Sequence, residues 1–397
     1  MLTDEAKPGV GAFQYAGSYA GPSPSPLKLP VSPGLQYPQA ETDGLHGVFK
    51  DSLPDAFGMN ALELWFKQHH REAYAVTKLE KLAYMGNRAW GALSYHPDLG
   101  KANKDFVCAL HEIALAQAAK QTLEGKFDEV APLFLQIASS IGGARPKVTI
   151  GIDPDNPQNV VMGALKKQSV FEPWVLKIDT APDRQYGRIE HVYNLLAGKA
   201  GILTNESRVL EEVRDGKKYS HFASRRFDRD GGRKIHAITL AGLLDVDFNK
   251  NETTYETLML TALRLTRNLT VCKEFYRRGI FNYLAGNHDD HAKNHALLMN
   301  ENGAWSASPA YDITPSTGME RREVHAMSIS DSIKATSTKE AWEKLGIRMG
   351  FGKQEVRQIF EQVDGALAQW KTVAAENGIA APVIAQVKAY LARHRAF

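Results

Sequence analysis

The chain has 397 residues, long enough to bury a substantial core without disulfide staples and to form two or three domains or one two-lobed unit. Its 48 Lys and Arg against 45 Asp and Glu give a net charge of +3, far from the excess of a protein that coats nucleic acid, although a local basic patch stays open. Two cysteines, Cys108 and Cys272, exclude a disulfide framework or a thiolate zinc site. With no basic–apolar leader at Met1 and no apolar run approaching a membrane span, the expectation is a reduced, cytoplasmic protein.

Residues 1–60 are rich in Pro, Gly and Ser, and 21–38 carry six prolines, so this stretch predicts irregular chain. A disordered tail is the plain reading, but Phe13, Tyr15, Leu27, Leu29, Val31, Leu35 and Tyr37 are apolar anchors that most tails lack. Apolar residues at three- and four-residue steps predict helices over 57–85 and 103–121, with a short strand over 88–98 between them. The alternation Val148, Ile150, Ile152 predicts a strand, followed by strands over 160–167 and 169–180 and a Gly-rich hairpin tip. A helix over 187–202 and strands over 208–214 and 220–230 come next. The longest helical signal is 254–285, with Arg264, Arg267, Lys273, Arg277 and Arg278 read as a solvated face. A polar loop at 285–295 leads into a hairpin, a capping box at Ser337–Glu340, and helices over 352–376 and 383–395. Strands first and helices after favour an α+β fold: a sheet-rich lobe and a helical lobe, with the cleft between such lobes as the default ligand site.

The densest polar cluster is Asn287-His288-Asp289-Asp290-His291-Ala292-Lys293-Asn294-His295, placed between a strong helix and a hairpin. Phosphoryl transfer makes sense of its spacing. That reaction needs a carboxylate at the attacking hydroxyl and oxygen ligands for a divalent ion, and kinase loops set the two five residues apart. Asp289 and Asn294 have that offset, and Asp312 follows where the hairpin returns. Upstream, Lys177 lies on a predicted strand and Glu190 opens the next helix, the strand-Lys, helix-Glu order of nucleotide phosphate sites. The turn Gly142-Gly143-Ala144 lets backbone amides approach phosphate. Each of these has a plain reading too: an outward-facing strand lysine, an ordinary tight turn, a solvated polar loop. A different chemistry is a metal-dependent phosphohydrolase using His288, Asp289, Asp290, His291 and His295, but His69, His70, His111 and His191 supply no matching partner pattern.

Taken in order, PLKLPVSP (26–33), HGVFKDSLPDAFG (46–58), NRAWGALSYHPD (87–98), SSIGGARPK (139–147), WVLKID (174–179), RRFDR (225–229), NHDDHAKN (287–294) and PAYDITPS (309–316) make the chain resemble the HipA-type serine/threonine kinases of bacterial toxin–antitoxin systems over nearly its whole length. The resemblance implies a two-lobed protein-kinase-like fold: an N-terminal subdomain over 1–125, a nucleotide-binding part over 126–245, and an all-helical C-terminal lobe over 246–397 that carries the catalytic loop. It implies Asp289 as catalytic base and Asn294 and Asp312 as Mg²⁺ ligands. Lys177 would contact the phosphates of ATP and pair with Glu190. Gly142, Gly143, Ala144, Arg145, Pro146 and Lys147 would form the phosphate loop, and Arg225, Arg226 and Phe227 the hinge that offers backbone groups to adenine. His291, Lys293 and Tyr311 would complete the nucleotide site. Ser140, or the adjacent Ser139, would be autophosphorylated. The implied partners are a helix-turn-helix, HipB-like antitoxin, operator DNA through that complex, and a protein substrate such as an aminoacyl-tRNA synthetase. A rival within the same fold is a catalytically silent regulator that binds antitoxin and DNA. Three departures stand out: a first strand expected to be shortened or missing, Arg225 where the hinge would begin with an acidic residue, and Asp290 beside Asp289.

Overall fold

The computed structural model describes residues 9–39, 43–54, 76–100, 147–157, 159–162, 170–250, 252–317 and 324–395, with short pieces at 2–3, 59, 62, 66–67 and 106–107. They belong to two units, one of residues 1–182, 208–246 and 299–303, the other of 183–207, 247–298 and 304–397.

The first unit starts with a small ribbon. Strand β1 (Leu2–Thr3) pairs antiparallel with β2 (Ala12–Phe13), so a first strand, expected to be shortened or missing, is present with two residues. The proline-rich stretch after it is anchored. Leu29 is fully buried, and the Tyr15 hydroxyl donates to its carbonyl at 2.8 Å. Val31, Leu35 and Tyr37 stay exposed, so only part of the apolar set holds the segment down. Helix α1 (Gly47–Lys50) follows, then α2 (Lys78–Met85), whose Thr77 and Glu80 form a reciprocal capping box. Of the helix expected over 57–85, α2 and residues 59, 62, 66 and 67 are helical, and the rest lies outside the described residues.

The short strand predicted over 88–98 is not one. A 3₁₀ turn at Gly86–Arg88 and a left-handed Gly91 break the extended run, and the segment is held by side chains from further along the chain. Within 103–121 the described residues are strand β3 (Phe106–Val107), not helix; pairing with Val161 and Met162 overrides the helical spacing.

Strands β4 (Lys147–Ile152), β5 (Val160–Met162), β6 (Glu172–Lys177), β7 (Ser207–Arg214) and β8 (Lys217–Arg225) complete a sheet of order β3-β5-β4-β6-β8-β7 among the described residues. Side chains of a strand alternate between faces. One face of the sheet carries Val148, Ile150, Ile152, Trp174, Leu176 and Ala223, all fully buried. The other therefore carries Lys147, Thr149, Val175, Lys177 and Phe222, with Lys147 directly opposite Lys177 and Lys177 opposite Phe222. The strand expected over 220–230 stops at Arg225, because Arg226–Asp228 turn away before the small hairpin of β9 (Arg229–Asp230) and β10 (Arg233–Lys234). Strand β11 (His236–Thr239) and helix α4 (Leu240–Leu244) follow. Asp51 accepts from the Thr239 amide and hydroxyl at 2.8 and 2.9 Å, and Asp245 accepts from the Gly47 amide at 2.6 Å, tying α1 to α4.

The second unit is mainly helical. Helix α3 (Tyr186–Lys199) precedes α5 (Tyr255–Thr266) and α6 (Leu269–Ala285). The single long helix read over 254–285 is thus two. Arg267 takes a left-handed conformation (φ 50°) and Asn268 caps the new start, its side chain accepting from the Thr270 amide at 2.9 Å. The hairpin expected after the polar loop is β12 (Ala296–Met299) with β13 (Trp305–Ala307). Helices α7 (Thr338–Arg348), α8 (Lys353–Ala368), α9 (Trp370–Glu376) and α10 (Ala381–His394) close the chain. Ser337 caps α7 as read, but the Glu340 carboxylate reaches back to Thr336, one residue earlier than a capping box requires.

Aromatic rings fill this unit's core: Tyr255, Tyr276 and Trp342 pack edge to face, as do Tyr193 and Trp370. Gly279 makes that possible, because a Cβ there would sit 2.2 Å from the Trp342 ring. Of the arginines assigned to a solvated face, Arg278 is buried, and half-buried Arg277 donates to the Ala200 carbonyl at 2.9 Å and to Gln362. Among the described residues no helix is long and apolar enough to cross a membrane.

Candidate active site

The candidate residues of the first unit sit on one sheet and the turn beyond it. Lys147 and Lys177 face the same side, directly across the β4–β6 ladder, and Lys147 is buried. Lys177 also lies over the Phe222 ring, Nζ 5.6 Å from its centroid. The rest of the expected phosphate loop, Gly142 to Pro146, lies outside the described residues, as do Ser139 and Ser140.

The turn Arg225–Phe227 is firmly set. The Arg226 amide donates to the Pro173 carbonyl at 2.9 Å, and exposed Arg225 pairs with Glu172 at 2.8 Å. The Arg226 side chain turns inward to Asp228, which it grips at 2.8 and 2.6 Å. Asp228 also accepts from Arg229 at 2.7 Å and from the Gly91 amide at 2.8 Å, while Arg229 donates to the carbonyls of Ala89 and Gly91. Burial alone would push the Asp228 carboxyl up. The two guanidinium groups and their hydrogen bonds outweigh it and hold the carboxyl at about 2. Asp228 was not singled out from the sequence, although RRFDR contains it. Its signal is a carboxylate flanked by arginines.

The catalytic-loop candidates lie in the second unit, where α6 ends at Gly286 (φ 66°). A Cβ at Gly286 would meet the Tyr390 ring at 2.3 Å, so this exit is fixed by sterics as well as by backbone conformation. The two adjacent carboxylates then separate in role. Asp290 is fully buried and accepts from Tyr255 Oη at 2.8 Å, His325 Nδ1 at 3.0 Å and the amides of Ala326 and Met327 at 2.9 and 3.4 Å. Asp289 points outward, its side chain 56% exposed, with Oδ1 3.8 Å from His291 Nε2. Asn294 closes the loop by donating its Nδ2 to the Asp289 carbonyl at 2.7 Å.

The return leg of the hairpin is tied to this loop. Tyr311 Oη donates to the Lys293 carbonyl at 2.6 Å, the His288 amide donates to Ser316 Oγ at 2.9 Å, and Asn287 Nδ2 reaches the Asp312 carbonyl at 3.4 Å. Asp312 itself is left-handed, φ 53°, a conformation that a non-glycine residue keeps only when its surroundings enforce it. His291 packs on Phe248, and Lys293 Nζ lies 5.0 Å from the same ring centroid. Glu190 is buried on α3.

These residues suit a hard cation. The Asn294 amide nitrogen is given to Asp289, and its side-chain oxygen and the Asp312 carboxylate are hard oxygen donors of the kind that match Mg²⁺. Among the described residues no three His, Cys, Asp or Glu side chains converge on a metal position. His295 is packed against Tyr255 and Phe275, and burial pushes it down to about 4. Sequence reasoning missed the buried supports Arg278, Asn282, Tyr255 and His325, because nothing in a linear pattern marks a polar residue as facing inward.

Comparison with known proteins places this geometry. The sequence model of the HipA-like C-terminal domain matches residues 139–370, and that of the HipA N-terminal domain matches residues 1–96. Among solved structures, a chain of the Shewanella oneidensis MR-1 toxin–antitoxin complex of HipA, HipB and operator DNA aligns with a TM-score of 0.73 at 16% identity, covering 100% of this chain and 94% of that one, which shows a common fold. The Helicobacter pylori proinflammatory kinase CtkA aligns with a TM-score of 0.35 at 12% identity, covering 56% of this chain and 90% of that one. No curated protein sequence matches the chain.

Proposed function

The chain belongs to the HipA family, and on that premise we propose that it is an ATP- and Mg²⁺-dependent serine/threonine protein kinase, the growth-arresting toxin of a toxin–antitoxin pair. The observation that carries the reading is the division of labour between neighbouring carboxylates: Asp290 is consumed by four hydrogen bonds inside the fold, while Asp289 is exposed on a loop closed by Asn294.

In this reading Asp289 orients an incoming serine or threonine hydroxyl and takes its proton as the oxygen bonds to the γ-phosphorus. The bond from that phosphorus to the β–γ bridging oxygen breaks, and ADP departs. Asn294 and Asp312 are the residues that hold Mg²⁺, whose chemistry is to neutralise charge on the phosphate oxygens. Lys147 and Lys177, neighbours across β4 and β6, supply positive charge to the phosphates together with Gly142, Gly143, Ala144, Arg145 and Pro146. Glu190 orients Lys177. Arg225 to Phe227 present hinge backbone to the adenine, while His291, Lys293 and Tyr311 shape the phosphate end. Ser140 or Ser139 is autophosphorylated, adding about −1.5 to −2 charge beside a site that already holds Asp289 and Asp312, which disfavours the active loop position. A helix-turn-helix, HipB-like antitoxin is the expected partner, with operator DNA bound through the complex and a translation component such as an aminoacyl-tRNA synthetase as substrate.

The test is incubation of the full chain with ATP and Mg²⁺ followed by phosphosite mapping. Phosphate on Ser140 or Ser139 is expected. Nucleotide binding with no phosphate on the chain or on lysate proteins would instead make it a kinase-fold regulator.

A further inference from the structure

Beside the loop lies a small cavity lined by Arg278, Asn282, Asn287, Asn294, His295 and Tyr311, among others. About 10 Å³ of it is open to the centre of a water molecule, the space that one water needs. Three elements aim polar atoms without protein partners into this region. Arg278 on α6 gives Nε to Glu274 at 2.8 Å and Nη2 to the Ser308 carbonyl at 2.5 Å, but its Nη1 has no acceptor although the residue is 3% exposed. Asn287 donates Nδ2 to Asn282 Oδ1 at 3.1 Å and to the Asp312 carbonyl at 3.4 Å, which fixes its Oδ1 as an acceptor; that oxygen has no donor, and the residue is 2% exposed. His295, equally buried, lines the cavity with neither ring nitrogen in a hydrogen bond.

The chemistry of this set selects its occupant. An anion would be repelled by the Asn287 oxygen, and a cation by the Arg278 guanidinium. Water satisfies all three, accepting from Arg278 Nη1–H, donating to Asn287 Oδ1 and meeting a His295 ring nitrogen as either donor or acceptor.

We propose that one internal water, anchored by Arg278, sits in this cavity and makes Arg278 a positioning residue for the Asn294–Asp312 pair. The link is short. Arg278 holds the water, the water holds Asn287, and Asn287 holds the carbonyl of left-handed Asp312. On the other side Asn282 donates to Tyr255 Oη at 2.9 Å, and Tyr255 donates to Asp290 at 2.8 Å, so the same chain of bonds reaches the base of the loop. Asn294 lines the cavity directly. The role at the metal pair rests on the kinase reading above; the water itself does not.

Two measurements decide it. A high-resolution crystal structure of the full chain, soaked in bromide, should show one density peak at hydrogen-bond distance, about 2.7–3.2 Å, from Arg278 Nη1, Asn287 Oδ1 and a His295 ring nitrogen, with no anomalous signal. An empty cavity or a bromide peak would overturn the proposal. Calorimetric titration of Mg²⁺ with the non-hydrolysable ATP analogue AMPPNP should then show metal-dependent binding weakened about 10–100-fold in Arg278→Lys, the range for residues that orient ligands from behind, while binding of the metal-free nucleotide is unchanged. Asn287→Asp, which keeps an acceptor oxygen and removes the donor to Asp312, should do the same and serves if Arg278→Lys does not fold. Unaltered Mg²⁺ dependence in a folded variant of either kind would reduce Arg278 to a stability role and refute the positioning. If the wild type binds no Mg²⁺–nucleotide at all, the kinase reading fails, and the crystal structure still settles the water.

Discussion

Asp289 and Asp290 are adjacent in sequence and opposite in environment, which makes the pair separable by substitution. Asp290→Ala removes the acceptor for Tyr255, His325 and two backbone amides at a fully buried position. Each donor left unmet costs about 1–3 kcal/mol, so the urea midpoint should fall sharply. Asp289→Asn changes an exposed side chain and should leave that midpoint within about 0.5 kcal/mol of wild type. Asp228 offers a second check, through pH. Its carboxyl is held at about 2 against an ordinary value of 3.8, so its contribution is complete above the ordinary value and is lost as pH falls through about 2. The shift corresponds to about 2 kcal/mol. Urea unfolding across pH should therefore show Asp228→Asn less stable than wild type near neutrality, with the gap narrowing by about pH 2. A gap of constant size would mean that the ion pairs with Arg226 and Arg229 contribute nothing.

At the scale of elements, periodicity was a good guide where one face is buried and a poor one where chain turns are set from afar. The alternation in β4 and the spacing in α3, α8 and α10 could be read because their apolar residues point to one core. The break between α5 and α6 was not read, since Arg267 and Asn268 are unremarkable in a helical window and only their backbone conformation and cap divide it. The segment 88–98 read as a short strand ending at Pro97. Its conformation is set instead by Asp228, Arg229 and Lys234, more than a hundred residues further on. The buried face of α6 is equally silent in sequence at Gly279, which reads as a weak helical residue. Gly279→Ala would drive a methyl into Trp342 and should lower stability by about 1–3 kcal/mol or more, measured by thermal or urea unfolding.

Across the whole molecule, the order of strands and helices was enough to give the α+β class, and eight short motifs in sequence gave the family before any geometry was known. The candidate site was legible to a lesser degree. The loop residues Asp289 and Asn294 and the strand residue Lys177 follow from spacing, because phosphoryl transfer constrains the offsets of the groups that perform it. The cross-strand register that sets Lys147 against Lys177 does not, because register depends on pairing and not on either strand alone. That register carries its own prediction. If both lysines serve the phosphates, Lys147→Met and Lys177→Met should each raise the KM for ATP, and the two substitutions together should exceed neither by the full product, as expected of neighbours that share one ligand. Strictly multiplicative effects in steady-state kinetics would mean that the two act on different groups.

The account stands or falls on Asp289 as the group that takes the proton. Transfer of the γ-phosphoryl group from labelled ATP, followed in wild type, Asp289→Asn and Asp290→Asn at matched folded concentration, tests it most directly. Asp289→Asn should lose about 100- to 10,000-fold in rate with its melting temperature unchanged, while Asp290→Asn loses stability first. Undiminished transfer by folded Asp289→Asn would contradict the assignment.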